Sequence, residues 1–475
     1  MKAKLIIYFL CMITPIATLS QEIETDTVAT ESNKVDYQAL IEEFGYMDGL
    51  EYSSLGISLR DMATGEEIAS FDPDLAVTTA STMKVVTSAT ALELLGYDYR
   101  FHTRVRLDGE VVDSVVNGNL VVIGGCDPTL GTRRENNKGS LPLEIATKLK
   151  SLGIKRINGR ILTDESLITD MPIYQKWQVE DIASDYGTGV HAINYRDNVV
   201  TLKIDKKGVA SFSPAVEMRV ENHTKKGDKE LKIMQCFGDR PMVSLYGTMS
   251  GAISEVIANP NPGALLVKDI KAELRQRGIA VGDSVINVAR GEEIIDFESD
   301  MLRNILRTLL LKSDNMYTES VLRAIAIKQG GGHSMEDGVE AVKKYWCGRG
   351  LQTGALFMYD GSGLSRNDRC TASLMTQILR AVEADSAKIG LKMSTLMTRL
   401  GEDGNIGNGK AVKRSAACGK IASKSGSMVD VQCYAGYYPY DEPRYAWAIL
   451  VNNFSMTRNA LKERIDRLLA RLFSE

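Results

Sequence analysis

Ala80-Ser81-Thr82-Met83-Lys84 opens a run in which Val85, Ala89, Leu92 and Leu95 recur at helical spacing until Gly96 breaks the pattern. The run reads as an apolar helix with Ser81 at its start and Lys84 one turn along on the same face. A serine hydroxyl is a weak nucleophile and needs a proton acceptor, a task lysine performs only when neutral. Bringing a lysine from about 10.4 down toward 7 or 8 costs on the order of 4 kcal/mol and calls for burial and a neighbouring cation. A second lysine is therefore expected close to the first.

Two later stretches supply partners. Ser313-Asp314-Asn315 follows a helical run of Leu302, Ile305, Leu306, Leu309 and Leu310. A loop there offers a hydroxyl at Ser313, able to pass a proton to a leaving nitrogen, and an amide at Asn315, able to bind a peptide backbone. Lys424-Ser425-Gly426-Ser427 falls in a strand-like segment, 421–428. Lys424 is the second cation, Ser425 stands beside it to hold a carboxylate, and Gly426 lets a ligand backbone approach the strand. Each stretch alone is weak: Ser-x-x-Lys occurs by chance, Ser-Asp-Asn caps helices, and an edge-strand lysine is commonplace.

In this order and in these local settings, Ser-x-x-Lys, Ser-Asp-Asn and Lys-Ser-Gly form the signature of penicillin-binding proteins and serine β-lactamases. The chain resembles the low-molecular-mass class C penicillin-binding proteins, D-alanyl-D-alanine carboxypeptidase/endopeptidases of the serine peptidase S13 family. Further family-like stretches are Phe71-Asp-Pro-Asp, Tyr99-Arg-Phe-His-Thr-Arg-Val, Gly124-Gly-Cys-Asp-Pro-Thr-Leu, Asp360-Gly-Ser-Gly-Leu-Ser-Arg and Ala435-Gly-Tyr. The resemblance implies Ser81 as acylated nucleophile, Lys84 as general base, Ser313 and Asn315 in proton transfer and substrate positioning, and Lys424 with Ser425 on the terminal carboxylate. It further implies an oxyanion hole from the Ser81 and Ser427 amides and a pocket lined by Met428. Asp164, in Leu162-Thr-Asp-Glu-Ser, is a candidate contact for a substrate ammonium and equally a turn residue. Two departures stand out: Lys-Ser-Gly replaces the usual Lys-Thr-Gly, and Gly-Asn-Ile at 404–406 replaces the usual Gly-Thr-Leu.

Spacing gives the architecture. Ser81 and Ser313 are 232 residues apart, more than a compact β-lactamase needs, whereas 111 residues separate Ser313 from Lys424. Between 105 and 263 the texture turns to short strand-like runs broken by Gly, Asn and Asp. Strands are expected near 55–60, 67–71, 421–428, 432–438 and 445–451, and helices near 35–44 and 456–473. The expectation is an α/β transpeptidase-like domain, an antiparallel sheet with helices on both sides, formed by 35–104 and 264–475 and interrupted by a β-rich insertion, 105–263. Within and after the insertion, a helix followed by Gly-Ile-Lys-Arg-Ile (141–157) resembles a helix followed by Gly-Ile-Ala-Val (265–281).

Residues 1–20 set Lys2 and Lys4 before an apolar run that ends in small residues, the layout of a cleavable export signal. Residues 21–34 read as a flexible acidic leader, and a periplasmic or otherwise exported location follows. With 57 Lys and Arg against 61 Asp and Glu, the formal charge of −4 gives no case for nucleic acid. Six cysteines remain beyond the signal, with their pairing open. The four histidines show no metal spacing, and no cofactor is called for. Expected partners are peptidoglycan peptides and β-lactams; membrane contact of the last helix and oligomeric state are left open. The rival readings are a serine β-lactamase, disfavoured by the insertion and the lack of a Glu-x-x-Leu-Asn segment, and a non-catalytic cell-wall-binding or β-lactam-sensing protein.

Overall fold

The C-terminal strands Ala422–Met428, Val431–Tyr438 and Tyr445–Asn452 sit within two residues of their expected bounds and pair antiparallel in succession. In this computed structural model, which describes residues 35–134, 137–228, 230–237, 240–404, 406 and 409–474, they form the heart of a six-stranded sheet. Tyr445–Asn452 continues onto Ser54–Asp61, which pairs with Glu67–Phe71, so both ends of the described chain share one sheet. The short strand Thr398–Arg399 covers only the start of Ala422–Met428 and leaves the rest of that edge open. The expected export signal and leader lie outside the described residues.

Helices pack on both faces, as expected. One face carries Met83–Leu94, Leu302–Lys312, Asn315–Lys328 and Ala372–Ala384 around a core that includes Val86, Leu306, Leu322, Ile378 and Leu450. The other carries Tyr37–Gly45 and Arg458–Leu472, whose Leu461, Ile465, Leu468 and Leu472 form one apolar stripe against Trp447 and Ile449. Strands buried on both faces read as nearly continuous apolar runs, and Val431–Tyr438 is buried at every position.

The chain leaves this body at His102–Val112, which pairs with Val115–Ile123 and, on its other side, with Glu292–Glu298. The similar helix-strand segments prove to be neighbours: Leu141–Ser151 packs beside Pro262–Gln276, and Arg156–Ile157 pairs in parallel with Ala280–Val281. Of residues 264–298, expected in the catalytic part, the strands Ala280–Val281 and Glu292–Glu298 thus join the second sheet, and helix Pro262–Gln276 packs into its core. The reason is non-local pairing, with Ile295 and Phe297 closing the core formed by Val105, Leu120 and Leu149. Two smaller sheets extend the same region. No helix among the described residues is long and apolar enough to cross a membrane. The six cysteines are free thiols, with Cys126, Cys370 and Cys433 buried.

Candidate active site

A single 3-10 turn, Ala80–Thr82, delivers Ser81 to the start of helix Met83–Leu94. That helix is buried at every position from Met83 to Leu92, so Lys84 enters the protein and its side chain is completely enclosed. Its ammonium donates to Ser81 Oγ at 3.0 Å, to Asn315 Oδ1 at 2.6 Å and to the Ser362 carbonyl oxygen at 2.8 Å. Burial holds Lys84 down to about 8, against the opposing pull of the Glu319, Asp360, Asp314 and Asp368 carboxylates.

Ser313 ends helix Leu302–Lys312 in a left-handed conformation (φ 56°), and Asp314 caps the next helix by accepting from the Tyr317 amide. Lys424, buried on the open sheet edge, donates to Ser313 Oγ at 3.0 Å and to the Ser425 carbonyl oxygen at 2.6 Å. Burial, and then the charge of Lys84, push Lys424 well below the usual lysine range. The expected pair of amines is present, with one difference: the like-charge penalty falls on Lys424, while carboxylates draw Lys84 back up.

Gly426 is where the strand meets the Ser81 turn. A methyl group there would stand 2.6 Å from the Thr79 carbonyl oxygen and 2.8 Å from the Ser81 amide nitrogen, so only glycine permits this approach. Gly363, at positive φ, fits the Ala80 carbonyl in the same way. Ser81, Ser313, Asn315, Ser427 and Met428 line one cleft of about 420 Å³, joined by Tyr186, Glu180, Asp181 and Arg366. The Ser427 hydroxyl donates to Gln432 Oε1 at 2.8 Å. Ser425 lies instead on a neighbouring cavity beyond Ser313 and Lys424.

Asn315 is committed at both ends of its amide, to Lys84 and, through Nδ2, to the Tyr186 carbonyl oxygen at 2.8 Å. Asp164 is not among the residues that line the cleft. Its Oδ1 accepts from the amide and hydroxyl of Ser166, at 3.1 and 2.6 Å, which is the turn role. The carboxylates that the second region does bring to the cleft belong to Glu180 and Asp181, in a stretch with no periodicity to mark it. Of the departures, Gly404 bridges to Leu400 and Ile406 is buried, while Asn405 lies outside the described residues.

A layer of carboxylates beneath the site was not foreseen. Glu319 accepts from the Gly361 and Ser362 amides, each at 2.8 Å. Asp360 accepts from the Gly363 and Ser365 amides and from Trp177 Nε1, and Asp368 from the Tyr359 amide. All three are fully buried. Burial and the Asp360 charge push Glu319 up to about 7 and raise Asp368 well above the usual carboxylate range. Among the described residues no group of three or more His, Cys, Asp or Glu side chains is arranged to hold a metal ion.

A D-alanyl-D-alanine carboxypeptidase of an Actinomadura species is 26% identical, over 88% of this chain and 81% of its own. The D-alanyl-D-alanine carboxypeptidase DacB of Haemophilus influenzae is 25% identical over 82% of each chain. The crystal structure of penicillin binding protein 4 from Haemophilus influenzae superposes with a TM-score of 0.78 at 23% identity, covering 93% of this chain and 100% of its own. The D-Ala-D-Ala carboxypeptidase 3 (S13) family model matches residues 38–472, nearly the whole described chain, and the protein belongs to that family.

Proposed function

We propose that the protein is a serine D,D-peptidase of peptidoglycan stem peptides that works through an acyl-enzyme at Ser81. The observation that carries this reading is the pair of buried amines, each 3.0 Å from a serine hydroxyl that lines the cleft. Ser81 Oγ forms its bond to the substrate carbonyl carbon as its proton passes to neutral Lys84. The Ser81 and Ser427 amides receive the oxyanion; losing one such donor typically costs about 2.7–4 kcal/mol. As the C–N bond breaks, the proton reaches the leaving nitrogen through Ser313, whose hydroxyl Lys424 orients. Water then attacks the ester with the same groups in reverse, releasing the shortened peptide and restoring Ser81.

Lys424 and Ser425 hold the leaving carboxylate, Asn315 fixes Lys84, and Met428 with Tyr186 flanks the peptide. The inserted region, taken as residues 102–298 from its pairing, supplies Tyr186, Glu180 and Asp181. Glu180 pairs with Arg366 at 3.7 Å and Asp181 accepts from the Tyr186 hydroxyl, so a stem-peptide side chain bearing both charges would meet a partner for each by exchanging with that pair. A β-lactam would be opened by the same attack, its amine tethered in place, so the ester persists. Such substrates place the protein outside the cytoplasm, in keeping with the expected export signal. Labelled penicillin should attach at Ser81, with mass spectrometry locating the adduct, and Ser81→Ala should remove it. A Ser81→Ala protein that still labels would end this assignment.

A further inference from the structure

The larger sheet of the inserted region and its two smaller sheets have separate cores that meet at Val216, which is partly buried against both. At that seam lies a groove of about 1120 Å³, between residues 215–219 and helix Pro262–Gln276. The residues that line it and those that line the catalytic cleft are two separate sets. Ligand pockets favour such seams, and this one exceeds the roughly 300–1,000 Å³ of a drug-sized pocket, which leaves room for several residues of peptide. Helical spacing sets one wall: Ala264, Val267, Lys268 and Lys271 share a face along the groove, while Leu266, Ile270 and Leu274 turn into the core.

The charged groups of the groove are mostly cations. Arg219, Arg240, Lys268 and Lys271 stand in the lining against one carboxylate, Glu217. Arg219 is matched to Glu221, and Lys271 to Asp283 at 3.2 Å. Lys268 donates to the Ala215 carbonyl oxygen at 2.7 Å, and among the described residues neither Lys268 nor Arg240 has a carboxylate within ion-pair distance. Asn259, also in the lining, is 2% exposed; its Oδ1 accepts from the Asn261 amide at 3.2 Å, and its Nδ2 is without a partner. A buried donor left unpaired is costly, so this amide favours a ligand that brings an acceptor. Two unmatched cations and an unmatched amide beside Val216, Met218 and Met242 suit a peptide that carries free carboxylates and apolar side chains.

We infer that this groove is a second binding site for peptidoglycan, holding a carboxylate-bearing stem peptide other than the one being cut. The inference rests on the D,D-peptidase reading, which supplies a polymer with many copies of a peptide that ends in a carboxylate, and goes beyond it: the inserted region anchors the enzyme to that polymer while the catalytic cleft works on one chain end after another. Lys268 and Arg240 meet the carboxylates, Asn259 Nδ2 donates to a peptide carbonyl oxygen, and Met218 with Met242 receives the apolar side chains.

The test uses the whole protein with its cleft first filled by saturating penicillin, and measures cosedimentation with insoluble peptidoglycan, either intact or stripped of its stem peptides. The acylated protein should still sediment with the intact polymer, less so as salt rises, and not with the stripped glycan. The double variant Arg240→Gln, Lys268→Gln should bind about tenfold more weakly, since exposed cations contribute little singly. Ala264→Trp, at an exposed helix position, should weaken binding by a similar factor by filling the groove. Both variants should keep the wild-type kcat/KM on a soluble pentapeptide. Cys236, an exposed thiol in the groove, reads occupancy directly: the intact polymer should slow its alkylation relative to that of the exposed Cys347, which lies outside the groove. Undiminished binding by both variants, loss of binding on acylation, equal binding to stripped glycan, or an unprotected Cys236 overturns the inference. Any of these with penicillin attached at Ser81 sinks the second site alone, whereas a wild-type Ser81 that penicillin leaves unmodified sinks the peptidase reading beneath it.

Discussion

Lys84 and Glu319 grip one residue from two sides. The Lys84 ammonium donates to the Ser362 carbonyl oxygen at 2.8 Å, and the Ser362 amide donates to Glu319 Oε1 at 2.8 Å. The loop that carries the lysine's acceptor is thus held by the carboxylate that most strongly favours the lysine's charged form. Asp360, Asp314 and Asp368 act in the same direction, and Lys424 faces the pair from the sheet edge.

Glu319→Gln should therefore let Lys84 lose its proton more readily. Acylation by labelled penicillin should rise with pH through about 8 in the wild type and at lower pH in the variant. The glutamine NH2 would oppose one of the two loop amides, so the plateau rate should also fall, about tenfold. Stopped-flow acylation across the pH range reads both effects. An acid limb that stays in place removes Glu319 from the proton balance of Lys84.

Lys84→Met should abolish acylation, a loss on the order of 10²–10⁴ for a missing general base. Its stability behaviour has a definite sign. A lysine at about 8 in the folded protein and 10.5 unfolded binds fewer protons when folded. Stability from this group therefore rises between those values, by on the order of 3 kcal/mol in all. The methionine variant should lack that rise and be the more stable at neutral pH, since it buries no ammonium. Denaturation at neutral and alkaline pH measures the difference; parallel curves would place the Lys84 amine in solvent.

How far the sequence reached depends on how local each signal was. Helix Met83–Leu94 and the three C-terminal strands were readable because their periodicity and the stop at Gly96 lie within a dozen residues. The motif serines and lysines were readable for the same reason. Glu319 was not, because a glutamate in the helix Asn315–Lys328 has nothing local to distinguish it from a solvent-facing one. The insertion boundary slipped to 298 because Glu292–Glu298 pairs with a strand some 190 residues earlier. Asp164 reads equally as a substrate contact and as a turn residue because an Asp-Glu-Ser turn has the same letters in either role; its Oδ1 accepts from Ser166.

Arg134 ties the inserted region to the second motif. It donates to Asp314, and its guanidinium lies over the Tyr317 ring, 4.8 Å from the centroid. Tyr317 in turn donates to Thr132, at 3.2 Å. Arg134→Ala should leave Asp314 without its cation and loosen the loop that presents Ser313. We expect kcat/KM to fall about tenfold or more, with a stability loss of about 1–2 kcal/mol. Arg134→Lys should recover charge but not the planar contact with the ring. Activity that survives Arg134→Ala intact would show that Ser313 is held without the insertion.

Ser313 carries a backbone cost as well as a catalytic hydroxyl. Its φ of 56° and ψ of 41° lie in the left-handed region, where a non-glycine residue is disfavoured by about 1–2 kcal/mol. The geometry ends one helix, lets Asp314 start the next and aims the hydroxyl at Lys424, so strain and function are joined at one position. Two substitutions separate them. Ser313→Ala keeps the strain and Ser313→Gly relieves it, while both remove the hydroxyl. The two variants should be equally slow, roughly a hundredfold below wild type for a lost proton relay, yet the glycine variant should melt higher than the alanine variant, with the gap worth about 1 kcal/mol. Equal melting temperatures would mean that the left-handed turn is not under strain, and near-normal turnover in either variant would mean that the departing nitrogen takes its proton from another group.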